Sequence, residues 1–347
     1  MTTVLCTLYN SLYLDKGLVL YDSLCECAKD FKLYVLCMDD KCYEVLTDLH
    51  QEHHIPVKLS DFEDGDEELL KAKSNRPIGE YCWTCSSSFI RYVLLKFNEP
   101  ICTYIDADMF FFNDPQVLVD EMVEAGKSVM VTPHRFPEEK KALAKKVGKY
   151  CVEFNTFKNN KDGLEVLEFW RDKCLECCSN IGDGTHWGDQ KYLEELEGQF
   201  ECVHICDNPG AGIAPWNISL YQSLDDKCSS VCYKRGKICV DIVFFHYQGI
   251  TYKNSNEVST AVEANRPDID YKLVDSLYYH YLRRIDNKKK ILKSEYDTEL
   301  LIKTHPSNNH MTGLRAIFHK TWAYRLLLRL FVIVNGNKPY MVDLSNI

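Results

Sequence analysis

Residues 104–115 read Tyr104-Ile105-Asp106-Ala107-Asp108-Met109-Phe110-Phe111-Phe112-Asn113-Asp114-Pro115 and close the apolar run Ile101–Ile105. Such a run reads as a strand, and side chains two apart on a strand share a face. Asp106 and Asp108 would then stand side by side where the strand ends. Adjacent carboxylates repel unless a cation lies between them. Hard divalent ions take oxygen ligands, and Mg²⁺ commonly shares its shell with substrate phosphates. The stretch therefore reads as a metal–diphosphate site at a sheet edge. A strand followed by an acidic turn is the plain alternative, because Asn113, Asp114 and Pro115 are turn formers.

Outward from this stretch, strand-like and helical runs alternate, the pattern of an α/β fold. Strands are expected at 4–9, 33–37, 55–59, 129–132, 151–157, 202–206 and 242–247. Helices are expected at 17–28, 43–53, 85–97, 163–178 and 190–196. Residues 254–270 are polar and loop-like, and 273–285 is rich in Tyr and Arg. The stretch 314–334 is too short and too interrupted by Arg325 and Arg329 to span a bilayer. A basic, aromatic amphipathic helix there suits a membrane interface. A core-packing helix with solvated arginines suits the pattern equally.

The net charge of −10 argues against a general nucleic-acid surface. The charge is uneven: from Arg283 to Arg329 there are eleven Lys/Arg against four Asp/Glu. The 17 cysteines follow an N-terminus without the marks of an export signal, so reduced thiols and a cytoplasmic location are expected. The pairs Cys82/Cys85 and Cys174/Cys177 have zinc-like spacing, but Cys174 and Cys177 fall in a helical pattern and read as ordinary free thiols. Neither a G-x-G-x-x-G fingerprint nor a Walker loop is present in the sequence. A nucleotide would have to be held by a metal and by side chains.

Three further clusters carry chemistry. Phe244-Phe245-His246-Tyr247-Gln248-Gly249 ends a late strand in an imidazole, a suitable third ligand for Mn²⁺. Trp187-Gly188-Asp189-Gln190 is a polar helix entry in which Asp189 is either functional or a cap. Asn208-Pro-Gly-Ala-Gly-Ile-Ala-Pro-Trp216 has small residues that admit close backbone approach, and an indole suited to stacking on a sugar face.

In this order and spacing, the elements resemble nucleotide-sugar glycosyltransferases of the glycosyltransferase A fold, most of all family eight, which includes bacterial lipopolysaccharide galactosyltransferases. The resemblance covers roughly residues 1–253 and implies one Rossmann-like nucleotide-sugar-binding domain with a central mixed sheet. Residues 254–347 would form a helical, basic C-terminal extension. It implies that Asp106, Asp108 and His246 hold Mn²⁺ or Mg²⁺, with Ala107 and Gly249 beside the donor. Thr7, Tyr9 and Asn10 would line the nucleotide pocket, and Asp39 or Asp40 would meet the base or ribose. Arg91 and Lys253 would add positive charge at the diphosphate. Asn155, Trp187 and Trp216 would face donor or acceptor sugar, and Asp189 and Gln190 would flank the anomeric carbon. Two departures stand out: the family's Asn-Ala-Gly is Asn155-Thr156-Phe157 here, and His-x-x-Gly-x-x-Lys carries one extra residue before Lys253.

The implied reaction moves a sugar from a nucleotide diphosphate sugar, UDP-sugar foremost, to a glycan or lipid-linked acceptor in surface polysaccharide synthesis, with retention favoured. The basic C-terminal part suggests docking on an anionic membrane surface, placing the enzyme peripherally on the inner face. A nucleotidyltransferase and a binding protein without catalysis are the alternatives.

Overall fold

The run 104–115 divides where its chemistry changes. Ile101–Ile105 is a fully buried strand, Met109–Phe111 is another, and the carboxylates occupy the turn between them. Strand alternation thus stops at Ile105, and a tight turn brings Asp106 and Asp108 together instead. The structure is a computed structural model that describes residues 2–179, 187–224, 230–253, 257–296 and 338–344.

In chain order the strands are β1 (Thr3–Tyr9), β2 (Phe31–Cys37), β3 (His54–Lys58), β4 (Ile101–Ile105), β5 (Met109–Phe111), β6 (Val129–Pro133), β7 (Tyr150–Lys158), β8 (Val203–Ile205), β9 (Tyr221–Ser223), β10 (Ser230–Tyr233), β11 (Ile238–Asp241), β12 (Phe244–His246), β13 (Thr251–Tyr252), β14 (Glu257–Glu263) and β15 (Pro339–Asp343). The α-helices are α1 (Leu14–Cys27), α2 (Asp40–Asp48), α3 (Leu59–Glu63), α4 (Glu67–Asn75), α5 (Ile78–Lys96), α6 (Gln116–Glu124), α7 (Lys141–Val147), α8 (Lys161–Glu176), α9 (Leu193–Gln199) and α10 (Tyr271–Tyr296).

The α/β class with a central mixed sheet is what the structure shows. Seven strands run in the order β3-β2-β1-β4-β7-β6-β8. The first four are parallel, β7 is antiparallel to both neighbours, and β8 is parallel to β6. Both faces are covered, so β1 alternates between two cores. Leu5 and Tyr9 pack with Leu14 and Leu18 of α1 on one side. Val4 and Cys6 pack with Phe89 and Val93 of α5 and Trp170 of α8 on the other. The carboxyl ends of the parallel strands form one edge, the usual ligand edge of such sheets. The turn carrying Asp106 and Asp108 leaves β4 at that edge.

Several boundaries differ from expectation for local reasons. Helix α2 ends at Asp48, and His50 takes a positive φ of 47°, which lets the chain turn into β3 early. Helix α5 starts at Ile78, behind Pro77, rather than at 85. Residues 190–196 open as a 3₁₀ turn, Gln190–Tyr192, before α9.

The expected loop at 254–270 contains β14, whose buried Val258, Thr260 and Val262 alternate with more exposed neighbours. Its polar residues are the outer face of a half-buried strand. Helix α10 lies along α1, with Lys288–Asp22 at 2.7 Å and Arg284–Glu26 at 2.6 Å. It shares a third core with Val19 and Phe110. The stretch 314–334 lies outside the described residues, and with it the interfacial helix. Among the described residues no helix is long and apolar enough to cross a membrane.

Candidate active site

A short ribbon assembles the site. β12 pairs antiparallel with β5, setting His246 opposite Met109, and the Tyr247 amide donates to the Asp108 carbonyl at 2.8 Å. This ladder places the His246 ring beside the carboxylate turn. Its Nε2 lies 3.0 Å from Asp108 Oδ1 and 3.6 Å from Asp106 Oδ2. Its Nδ1 lies 2.7 Å from Glu153 Oε2. Glu153 was not expected from the sequence, where it reads only as a polar residue inside a strand.

What presents Glu153 is a distortion of β7. Strand β6 pairs Met130 with Thr156 but Thr132 with Cys151, so β7 bulges at Glu153. Asn155 patches the bulge: its Oδ1 accepts the Thr132 amide at 3.3 Å, and its Nδ2 donates to the Cys151 carbonyl at 3.2 Å. Fully buried, Asn155 holds backbone and does not line the cavity. The small residues at 208–214 likewise serve protein packing. A Cβ on Gly212, whose φ is +70°, would sit 2.9 Å from Glu153 Oε1, and one on Gly210 would sit 2.1 Å from the Asp241 carbonyl.

The electrostatics fit a shared cation-binding centre. Burial opposes the His246 imidazolium, but the Asp108 carboxylate and the ring's hydrogen bonds to Asp108, Cys151 and Glu153 outweigh it and hold its pKa well above the usual value. Burial would raise Asp108 as well, yet His246 and then Lys16 draw it down to about 2. Asp106 is pushed up to about 7, by burial first, with His246 opposing and Asp108, Asp189 and Glu153 adding to the rise. Two carboxylates and one imidazole form a hard-to-borderline donor set that suits Mn²⁺ or Mg²⁺. Glu153 behind Nδ1 completes the carboxylate–histidine arrangement that orients metal-bound imidazoles.

Beside this centre opens a cavity of about 330 Å³. Of the expected residues, Asp106, His246, Asp189, Gln190, Trp187 and Trp216 line it. Trp83, Tyr104, His134 and Phe136 add an aromatic wall that no local motif announced. Trp216 is fixed by its Nε1 donating to the His134 carbonyl at 2.9 Å, and its ring meets His246 edge-on at 5.5 Å. Lys146 lies 4.6 Å over the Trp187 ring. The Asp189 side chain makes no cap bond. Its Oδ2 accepts from Ser86 Oγ at 2.7 Å instead. Burial raises its pKa to about 6 against that hydrogen bond. Gln190 Nε2 donates to the Val147 carbonyl at 2.6 Å.

Other expected residues stand elsewhere. Tyr9 points into the core, with its hydroxyl 3.3 Å from His54 Nε2 and its ring against Gly17. Asn10 accepts the Leu12 amide. Asp39 accepts from Ser11 N, Ser11 Oγ and Cys42 N, tying the ends of β1 and β2 together. Asp40 is exposed, 3.6 Å from Lys58. Thr7 is buried, and its hydroxyl has no hydrogen-bond partner among the described residues. Ala107 is buried in the carboxylate turn. Arg91 pairs with Glu168 of α8 and does not line the cavity. Gly249 takes φ +83° against Ala261. Lys253 is exposed, and its amide donates to the Glu257 carbonyl.

Fold and site together define an α/β protein with a carboxylate–imidazole centre at the carboxyl edge of its sheet. No family model matches the chain. The uncharacterized protein YfnD of Bacillus subtilis (strain 168) is 35% identical over 257 residues, covering 72% of this chain and 79% of YfnD. YfnF of the same strain is 30% identical over 306 residues, covering 86% of this chain and 97% of YfnF. The chain belongs to the family of these two proteins. Solved structures similar to it include mouse xyloside xylosyltransferase 1 in its apo form, with 13% identity, a TM-score of 0.46, and coverage of 72% of this chain and 98% of that one. The galactosyltransferase LgtC, solved with donor and acceptor sugar analogues, gives 12%, 0.47, 71% and 87%. The glycosyltransferase GlyE of Streptococcus pneumoniae TIGR4 gives 14%, 0.45, 84% and 64%.

Proposed function

We propose that this chain is a metal-dependent glycosyltransferase of the glycosyltransferase A fold. It would move a sugar from a nucleotide diphosphate sugar, a UDP-sugar first of all, to a glycan or glycolipid acceptor. The observation that carries this is the convergence of Asp106, Asp108 and Glu153 on His246, opening into an aromatic-walled cavity that also holds Asp189. Aromatic faces beside a carboxylate suit a pyranose ring better than a peptide or a nucleic acid.

Asp106, Asp108 and His246 would hold Mn²⁺ or Mg²⁺, which supplies charge neutralisation for a departing diphosphate. The chain's own residues do the rest. Glu153 keeps the His246 ring oriented through Nδ1. Trp216 and Trp187 present faces for the sugar, and the aromatic wall displaces water from around it. Ser86 fixes the Asp189 carboxyl where it can meet the sugar or the acceptor hydroxyl. Retention of anomeric configuration is the proposed outcome, in line with family eight, with Asp189 and Gln190 stabilising the cationic sugar. The test is a thermal-shift and turnover screen of nucleotide sugars with and without Mn²⁺. A ligand at about 100 times its Kd stabilises by about 2.7 kcal/mol, an easily read shift. A Mn²⁺-dependent shift and release of nucleoside diphosphate with one donor support the reading. Absence of both for every donor would overturn it.

A further inference from the structure

The diphosphate half of such a site needs cations, and among the described residues no contact places Arg91 or Lys253 beside the carboxylate turn. Two other lysines approach that region from α1 and α10. Helix α1 is tied to β5 by the Phe111 amide, which donates to Ser23 Oγ at 3.1 Å, and Val19 packs with Phe110 in one core. Following both elements back from that tie, Lys16 lies seven residues before Ser23, about 10 Å along a helix. Asp108 lies in the turn that enters β5, three residues and at most about 10 Å before Phe111. Lys16 thus comes level with Asp108.

Lys16 is only half-buried, and its Nζ sits 4.1 Å over the Tyr13 ring. Among the described residues it makes no ion pair. From α10, Lys289 reaches toward the same place: its Nζ lies 3.5 Å over the Tyr252 ring and 3.7 Å from Asp15 Oδ2. Electrostatics agree with the geometry. Burial opposes the charge on Lys16, and the Asp108 carboxylate leads the influences that keep it protonated. Both ammonium groups lie against aromatic faces, Lys289 is also paired with the buried Asp15, and that one carboxylate serves two positive charges. The surplus positive charge suits an added anion.

We propose that Lys16 of α1 and Lys289 of α10 form a two-cation seat for a diphosphate beside the Asp106–Asp108 turn. The proposal deepens the glycosyltransferase reading and rests on it for the source of the diphosphate. It also gives α10 a role in the site: the helix brings Lys289 to a seat whose other half belongs to α1.

The test uses the full chain loaded with Mn²⁺ and inorganic pyrophosphate as the probe, with orthophosphate as control, followed by calorimetry. Lys16→Met and Lys289→Met should each weaken pyrophosphate binding at least about tenfold, the worth of a charge-assisted contact. Mn²⁺ affinity, read by electron paramagnetic resonance, should stay within about twofold in both variants. Lys253→Met should bind pyrophosphate as wild type does, and Lys16→Arg should recover most of the loss, which separates charge from folding. Wild-type binding retained in both methionine variants, loss confined to Lys253→Met, or no pyrophosphate binding by the wild type would each overturn the seat. Binding that depends on both lysines in a protein that takes no nucleotide sugar would keep the seat and remove the donor reading.

Discussion

Replacing Glu153 tests whether the centre is built for a metal. Its Oε2 is 2.7 Å from His246 Nδ1, and its side chain is fully buried, so water cannot take its place. The Glu153→Gln side chain keeps an acceptor for Nδ1–H but removes the charge; the Glu153→Ala side chain removes both. Losing the partner of a metal-bound imidazole typically weakens metal binding about 10–100-fold, or roughly 1.4–2.7 kcal/mol. The glutamine variant should fall near the tenfold end and the alanine variant near the hundredfold end. Stability should separate the two as well. Among the described residues Glu153 Oε1 has no hydrogen-bond partner, and it lies against Gly212. In the glutamine variant one unpartnered polar atom replaces another, so the melting temperature should change little. The assay is Mn²⁺ titration by electron paramagnetic resonance at pH 8, with circular dichroism as the fold control. A folded Glu153→Ala protein that binds Mn²⁺ within twofold of wild type would refute the reasoning.

Three further outcomes are expected. Asp108→Asn should lower metal-dependent sugar transfer by about 10²-fold or more with the fold intact, because the carboxylate nearest His246 is lost; near-wild-type turnover with metal present would sink the assignment. Asn217→Ala should destabilise the protein by about 2–4 kcal/mol in urea unfolding, since the fully buried amide donates to the His134 and Gly212 carbonyls and accepts from Ala214. Burial lowers the pKa of His54 to about 3, below the unfolded value, so its contribution is fully present above about pH 6.5 and is lost as pH falls toward 3. At pH 5 that loss is about 2 kcal/mol, and His54→Gln should flatten the decline in stability between pH 7 and 5 by about that much.

How much of this was legible depends on sequence distance. The strand before Asp106, the helix at Lys161–Glu176 and the imidazole ending β12 announce themselves because apolar periodicity is local. Their meeting also follows from motif order. Glu153 was not legible, since its role depends on a bulge defined by pairing with β6 and on Gly212, which leaves room for its side chain. Trp83, His134 and Phe136 were silent for the same reason: Trp83 reaches the cavity from α5, and His134 and Phe136 reach it from the loop after β6. Tyr9 and Asp39 show the converse. Their positions at strand ends suit a nucleotide, but Tyr9 hydrogen-bonds His54, and Asp39 hydrogen-bonds Ser11 and Cys42. Position at the ligand edge is therefore not enough. What a side chain can offer a ligand is the hydrogen-bonding capacity and charge that the fold's own bonds leave over.

The same criterion separates the cations. Arg91 sits on a helix before the metal turn, where a donor-facing charge is expected, yet Glu168 already holds it. Arg76 is taken by Thr84 and the carbonyls of Cys174 and Leu175. Arg135 is taken by the carbonyls of Cys206, Asn208 and Ala211, where it fixes the loop leading to Trp216. Arg76 and Arg135 satisfy backbone carbonyls that would otherwise cost stability, and Arg91 is engaged in an exposed ion pair with Glu168. Lys16 rests on an aromatic face near Asp108, one of the two carboxylates suited to a divalent ion. With that ion bound, Asp108 would give its charge to the metal, and Lys16 would lose the carboxylate that now compensates it. Metal and diphosphate should therefore bind cooperatively, with Mn²⁺ raising pyrophosphate affinity in the wild type more than in Lys16→Met. Equal enhancement in the two proteins would place Lys16 outside the coupling.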